Sequence, residues 1–449
     1  MPWWLTAGAA SVLVTGLWRP DIAFLALIAA APWGARLAGV PVRATEYLCA
    51  AFLVAWLLRI DRPLRLSSGG ARAAAVPGLA YALLVIVSWV RLVLAGSTLR
   101  GWPRVLDAAR LLPADYLVTA GRDPHTAAAL QILLGLAICF GVSTLVARDE
   151  RVARRIALVI AIGGIVAAAS TVIAVPVRYL LTGDTNELIR YFVVTRSRYA
   201  FHVPDVNAAG SHFILAGLLA LGLGTSRTRR TWWIVSLTVT FAALWICGSR
   251  AAMVAGVVLV TFCLSGWRLV RWGWRWPSIS TRTLAGVGAV TLLVLVLSPV
   301  VVGNASAMSG SASRSMSVRE EFLVTSTRML ATAPVLGVGV GTYYQRSSEF
   351  MPPGIRALYG RENAHDYFMQ TAAELGLLGV IAFVWWLGAS LAPLWRCIGA
   401  EGRPAPALAL MLGCVGFLLT CVTGHPLLVV EVSVPFWAAL GLAMSSKVY

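Results

Sequence analysis

The sequence predicts an all-α fold, a polytopic bundle of about 12 or 13 membrane-spanning helices forming one domain over residues 1–449. Three observations predict it. The chain is 59% hydrophobic and only 12% charged. Apolar stretches of about 17 to 25 residues recur along it, the length a helix needs to cross a bilayer. The links between them are mostly short, so nothing divides the 449 residues into separate soluble domains.

Taken in order, spans are expected near residues 3–17, 21–38, 44–58, 75–95, 126–147, 153–175, 206–224, 231–248, 250–265, 284–302, 371–395, 405–423 and 428–445. The opening stretch "MPWWLTAGAASVLVTGLWRP" has neither a basic leader nor a small-residue cleavage site, and reads as a retained first span. The net charge of +18 is carried by arginine, Lys447 being the single lysine. Five short links are basic, around Arg59–Arg72, Arg148–Arg155, Arg227–Arg230, Arg268–Arg282 and Arg396–Arg403. Neighbouring members of that set are two spans apart, so all fall on one side, which the positive-inside rule makes cytoplasmic.

The longer links, 96–125, 177–205 and 303–370, are then external, and the last far exceeds what a connection requires. Topology does not explain their arginines, among them Arg100, Arg104, Arg196, Arg198, Arg319, Arg346 and Arg361. A site for an anionic ligand does, with membrane lipids rather than nucleic acid as the surroundings. The seven cysteines are scattered singly, with no CxxC pair or metal spacing, and read as packing residues. No metal or cofactor is expected.

Within 303–370, "SMSVREEFLVTSTRMLATAP" places Val318, Phe322, Met329 and Ala333 at mostly helical spacing and stops at Pro334. It is expected to be an amphipathic helix at the outer interface. "GVGVGTYY" follows no strand, which weakens a nucleotide-binding reading and leaves a flexible loop, near a ligand or not. In "RENAHDYFMQTAAELGLLGV" a helix starting near Asn363 puts Glu362, His365, Asp366 and Met369 on one face. That face is either a site presenting His365 beside a carboxylate or a polar cap on the helix end. Glu374 reads as a solvated residue at the outer end of the span.

"CGSRAAMVAG" leaves Arg250 between two apolar runs with almost no loop, where a charge marks function unless it snorkels to lipid phosphates. Arg91 is a similar cation near the end of its span. "RSRYAFHVPDVNAAGSHFILAG" enters the span at 206, with Pro204 favouring an extended approach, Asn207 either a binding residue or a helix-start residue, and His212 a satisfied histidine of the bundle. Arg198, Arg250 and Arg319 thus lie on three external elements and His365 on a fourth. Arginine's planar fork suits phosphate, and a lipid-linked diphosphate is a fitting ligand.

The series "SRAAMVAG", "SVREEF…ATAPVLGVGVGTYY" and "ENAHDYFMQTAAELGLLGVIAFV" resembles the signature region of the O-antigen ligase and O-antigen polymerase family. "RYAFHVPDVNAAG" is similar to the segment that precedes it there, and the likeness covers residues 190–390. Two departures stand out: His365-Asp366 where the family commonly has His-Asn, and Pro204-Asp205-Val206-Asn207 where it has Pro-Asn.

The resemblance implies a glycosyltransferase C-like fold in the bacterial cytoplasmic membrane, its site facing the periplasm or cell exterior. It also implies a metal-independent, inverting transfer of a glycan from undecaprenyl diphosphate to a sugar hydroxyl. Lipid A-core would be the acceptor in a ligase and another lipid-linked glycan in a polymerase. Under that reading His365, Arg250 and Arg319 are catalytic, and Arg198, Arg196, Asn207, Arg91 and Arg361 bind diphosphate or glycan. A lipid-glycan transporter is the competing class, disfavoured because charges gather at the outer ends and mid-span windows are nearly uncharged.

Overall fold

A computed structural model describes residues 3–34, 44–58, 69–95, 124–183, 198–223, 230–271, 305–398 and 404–445. The expected span at 284–302, Arg196, and the link arginines Arg59, Arg100, Arg104 and Arg227 lie outside these residues. In chain order the helices are α1 (Trp3–Trp18), α2 (Pro20–Ala30), α3 (Ala44–Leu58), α4 (Gly69–Ala95), α5 (Pro124–Arg148), α6 (Glu150–Thr182), α7 (Val206–Leu223), α8 (Arg230–Cys247), α9 (Arg250–Arg271), α10 (Ala305–Thr332), α11 (Tyr343–Phe350), α12 (Pro353–Tyr359), α13 (Tyr367–Ile398), α14 (Pro404–Cys421) and α15 (Val430–Met444). Every expected span within the described residues has its helix. Five are long and apolar enough to cross a membrane, and seven shorter apolar helices accompany them.

α7 is the centre of the bundle. Every residue from Ala208 to Gly222 is buried, and α14, α6 and α8 pack around it. Its small residues allow this closeness: a methyl added at Gly210 or Gly217 would press on Ser249 or Thr240. Peripheral helices turn apolar side chains outward, as α4 does with Val76, Leu79, Leu83 and Val87. That is the surface a lipid-embedded bundle presents, since hydrocarbon gives apolar groups no reason to hide.

The expected amphipathic helix is α10, ending at Thr332 just before Pro334. Leu323 and Val324 on it are exposed, while others of its apolar residues pack against protein. Phe322 and Val318 pack with Met351 and Ile355, and Met329 packs with Tyr343, Ala364 and Ala373. α10, α11 and α12 therefore form a small cap over the start of α13.

The glycine loop is equally fixed, contrary to the expectation of flexibility. α13 breaks at Gly376, where φ is 71° and ψ is −174°, so four backbone groups lose their helical partners. The loop supplies new ones: Val338 and Gly339 N–H donate to the carbonyls of Ala373 and Glu374, and Leu377 and Leu378 N–H donate to those of Pro334 and Val335. Gly337, at φ +66°, lies so close to the Glu374 backbone that a side chain has no room there. The loop and the broken helix complete each other.

Candidate functional site

One end of the bundle collects the residues singled out above. Leading into α7, Asp205 rather than Asn207 caps the helix: its Oδ1 accepts hydrogen bonds from Asn207 N–H at 2.8 Å and Ala208 N–H at 3.0 Å. Asn207 is left free to bind Arg198, whose Nη2 donates to Asn207 Oδ1 at 2.7 Å while its Nε donates to the Cys247 carbonyl at 3.0 Å. Arg198 thereby clasps the end of α8. Gly248, at φ +59°, turns the chain there, and Arg250 opens α9 two residues later. An arginine on the positive end of a helix makes a natural place for an anion.

Arg319 approaches from α10, one turn before Phe322. Partial burial lowers the Arg198 pKa from its ordinary value, and Arg250 and Arg319 press in the same direction against Asp205. Burial lowers Arg319 likewise, with Arg250 adding to it. Guanidinium groups remain charged under such shifts. The three cations are therefore close enough to repel one another, an arrangement that an anion between them would relieve.

His365 comes from the segment before α13, where the expected helical face does not form. Residues 361–366 are irregular and α13 starts at Tyr367, because Asp366 Oδ1 accepts from Phe368 N–H at 2.9 Å and Met369 N–H at 3.1 Å and so caps the helix. Glu362 accepts from Asn363 N–H instead of pairing with His365. His365 is the one non-glycine residue with positive φ among the described residues, at 51°. A left-handed conformation costs a side-chain-bearing residue about 1–2 kcal/mol, so its neighbours must hold it there. Gln370 does much of this, donating to Asn363 Oδ1 at 3.3 Å and accepting from Ala364 N–H at 3.5 Å.

The imidazole lies between two rings, Phe322 with centroids 5.2 Å away and His425 at 5.1 Å. Among the described residues it makes no hydrogen bond. Burial lowers its pKa to about 3, with His425 and Arg319 adding to the effect and Asp205 opposing it. The ring is neutral at physiological pH and has a lone pair to offer. The sequence left open whether carboxylates or arginines would dominate, and desolvation decides for the neutral form.

Two further residues belong to this end of the molecule and were missed or set aside. Glu374 is not solvated but buried, its carboxylate accepting from Gly341 N–H at 2.8 Å, Tyr343 N–H at 3.1 Å and Gln370 Nε2 at 3.3 Å. His425, between α14 and α15, is 5% exposed and faces Asp205 with Nε2 3.4 Å from Oδ2. A signal was present: "TGHP" places one of only five histidines in a link on the same side as His365. His212, assigned to the bundle by the sequence, is buried against His202, with 3.4 Å between ring nitrogens.

His365, Arg319, Arg250, Arg198 and Asn207 are thus brought together. Arg361 stands at the rim, hydrogen-bonded to Gln345 Oε1 at 3.1 Å. Arg91 is engaged elsewhere, donating to the Gly337 carbonyl at 2.6 Å and so clamping the glycine loop. Among the described residues no group of three or more His, Cys, Asp or Glu could hold a metal ion. The arrangement places a buried imidazole near a cluster of arginines.

A family model described as O-antigen ligase matches residues 235–384. The matched region runs from within α8 into α13 and contains Arg250, Arg319, Arg361 and His365. No curated protein matches the chain.

Proposed function

We propose, from the match of residues 235–384 to the O-antigen ligase family model, that this membrane helical bundle carries out a glycosyl transfer from undecaprenyl diphosphate to a hydroxyl of lipid A-core. Arg198, Arg250 and Arg319 hold the diphosphate and neutralise the charge that grows on it as the sugar departs. Removing one such group from a desolvated site lowers rates by about 10² to 10³. His365 takes the proton of the acceptor hydroxyl as its oxygen attacks the anomeric carbon from the face opposite the diphosphate. One carbon–oxygen bond forms, the bond to the diphosphate breaks, and the sugar's configuration inverts. The diphosphate leaves as an anion and needs no protonation, which makes a carboxylic acid or a metal unnecessary to the scheme.

The observation that carries this reading is a desolvated histidine held in a left-handed conformation near Arg319, which forms a cluster of like charges with Arg198 and Arg250. The test is acceptor-dependent release of lipid diphosphate from an undecaprenyl-diphosphate glycan by purified protein in detergent. His365→Ala is expected to lose about 10² to 10⁴ in rate while remaining folded. Arg319→Lys and Arg250→Lys, which keep charge but lose the fork, should turn over more slowly, and EDTA should change nothing. A productive acceptor that is itself lipid-linked would make the protein a polymerase. Donor binding without release under any acceptor would favour transport.

A further inference from the structure

His425 and Asp205 lie outside the matched residues 235–384, yet they stand directly behind His365. Asp205 is held at both oxygens: Oδ1 by the first backbone N–H groups of α7, and Oδ2 by His425 Nε2 at 3.4 Å. His425 presents its ring to His365 with centroids 5.1 Å apart, and its Nδ1 is buried without a hydrogen-bond partner among the described residues. Its link is pressed against the arginine site, because Gly424 lies beside Asn207.

Resting on the transfer reading above, we propose that Asp205 and His425 are positioning residues, His425 orienting the ring of His365 and Asp205 supplying the negative charge that favours its protonated form during transfer. The need for such a partner follows from charge. When the acceptor hydroxyl gives its proton to His365, a cation appears near Arg319. Something negative must face it. Asp366 is the nearest carboxylate in sequence, but it is bound to the N-terminus of α13. Glu362 accepts from a neighbouring backbone N–H. Of the groups that act on His365 from the elements packed around it, Arg319 and His425 oppose the imidazolium and Asp205 favours it. The 3.4 Å contact between Asp205 and His425 is loose for a hydrogen bond, as such contacts often are before substrate binds. With Nε2–H turned to Asp205, Nδ1 is left as the acceptor side of the ring. That is the role a carboxylate plays in fixing a histidine tautomer.

Asp205→Asn removes the charge and keeps an oxygen for the α7 cap, since asparagine caps as well as aspartate. His425→Gln leaves the Asp205 cap untouched and removes the ring. Both are assayed with undecaprenyl-diphosphate glycan and two nucleophiles, lipid A-core and azide, an anion with no proton to lose. In each variant kcat for the hydroxyl acceptor is expected to fall at least about tenfold, with the donor KM and azide-driven release within about twofold of wild type. Equal losses with both nucleophiles would make the pair a purely structural support and overturn the proposal. So would variants that match wild type with lipid A-core. A wild type that releases no lipid diphosphate with either nucleophile would overturn the transfer reading, and this one with it.

Discussion

His365 shows how far a side chain's environment can move its chemistry. An exposed histidine titrates near pH 6.5, whereas here burial brings the value to about 3. The folded pKa is below the unfolded one, so between these values the unfolded chain binds a proton that the folded chain refuses. The associated stability is fully present above about pH 6.5 and is lost as pH falls towards 3. Asp205 adds a second loss of the same sign. Burial would raise its pKa, but His425 and two backbone N–H groups hold it at about 2. Its contribution, on the order of 2 kcal/mol, is present above about pH 4 and lost towards 2. The melting temperature in detergent is therefore expected to fall as the buffer goes from about pH 7 to about 4, and His365→Asn should flatten that slope. The transfer rate should show no acid limb near pH 6.5, because the base is already neutral there. A wild-type limb centred at about 6.5 would mean that His365 titrates as an exposed histidine and would contradict the desolvated base.

At the scale of elements, the fixed relation between the glycine loop and α13 places His365. Glu374 accepts from Gly341 and Tyr343 in the loop, and through Gln370 it reaches the segment that carries the histidine. Truncating it strands buried donors, each costing about 1–3 kcal/mol. Glu374→Ala is expected to lower the melting temperature by several degrees and to open residues 334–350 to proteolysis, whereas Glu374→Gln should retain part of the network. Unchanged protease resistance in Glu374→Ala would show that the backbone bonds at the Gly376 break hold the loop unaided. Little of this was legible in the sequence. Asn363 to Asp366 can continue a helix by local pattern, and only the reach of Gln370 back to Asn363 and the turn of Asp366 onto its own helix exclude that. Gly376 reads as an ordinary small residue in an apolar run until a second segment donates to the carbonyls it frees. Spans such as α5 and α7 were legible because crossing a bilayer is a local demand on about 20 residues. The side of His425 was legible too, but its meeting with Asp205 was not, because that joins residues more than two hundred positions apart and leaves no periodic trace.

At the scale of the whole molecule, the site and the basic connection between α5 and α6 occupy opposite ends. α5 begins beside the site's supporting loop, where His125 meets the Val340 carbonyl at 3.2 Å, and ends at Arg148 after 25 residues. At 1.5 Å per residue that is about 37 Å, more than the roughly 30 Å of a bilayer's hydrocarbon core. Arg148, Arg151, Arg154 and Arg155 gather at the far end, and cytoplasmic retention of such clusters would turn the site outward. The arginines at the site end argue the other way by simple counting, so the orientation needs a direct measurement. Labelling with a membrane-impermeant maleimide can make it. Six of the seven native cysteines are buried and Cys397 is half-buried, so an introduced cysteine should stand above a low background. Tyr359, 40% exposed on α12, marks the site end, and Asp149 marks the basic connection. Tyr359→Cys is expected to react in cells whose inner membrane is intact, and Asp149→Cys only after that membrane is permeabilised. The reverse pattern would put the arginine cluster and His365 in the cytoplasm. A donor diphosphate presented on the outer leaflet could not then reach them, and the ligase reading would fail on geometry alone.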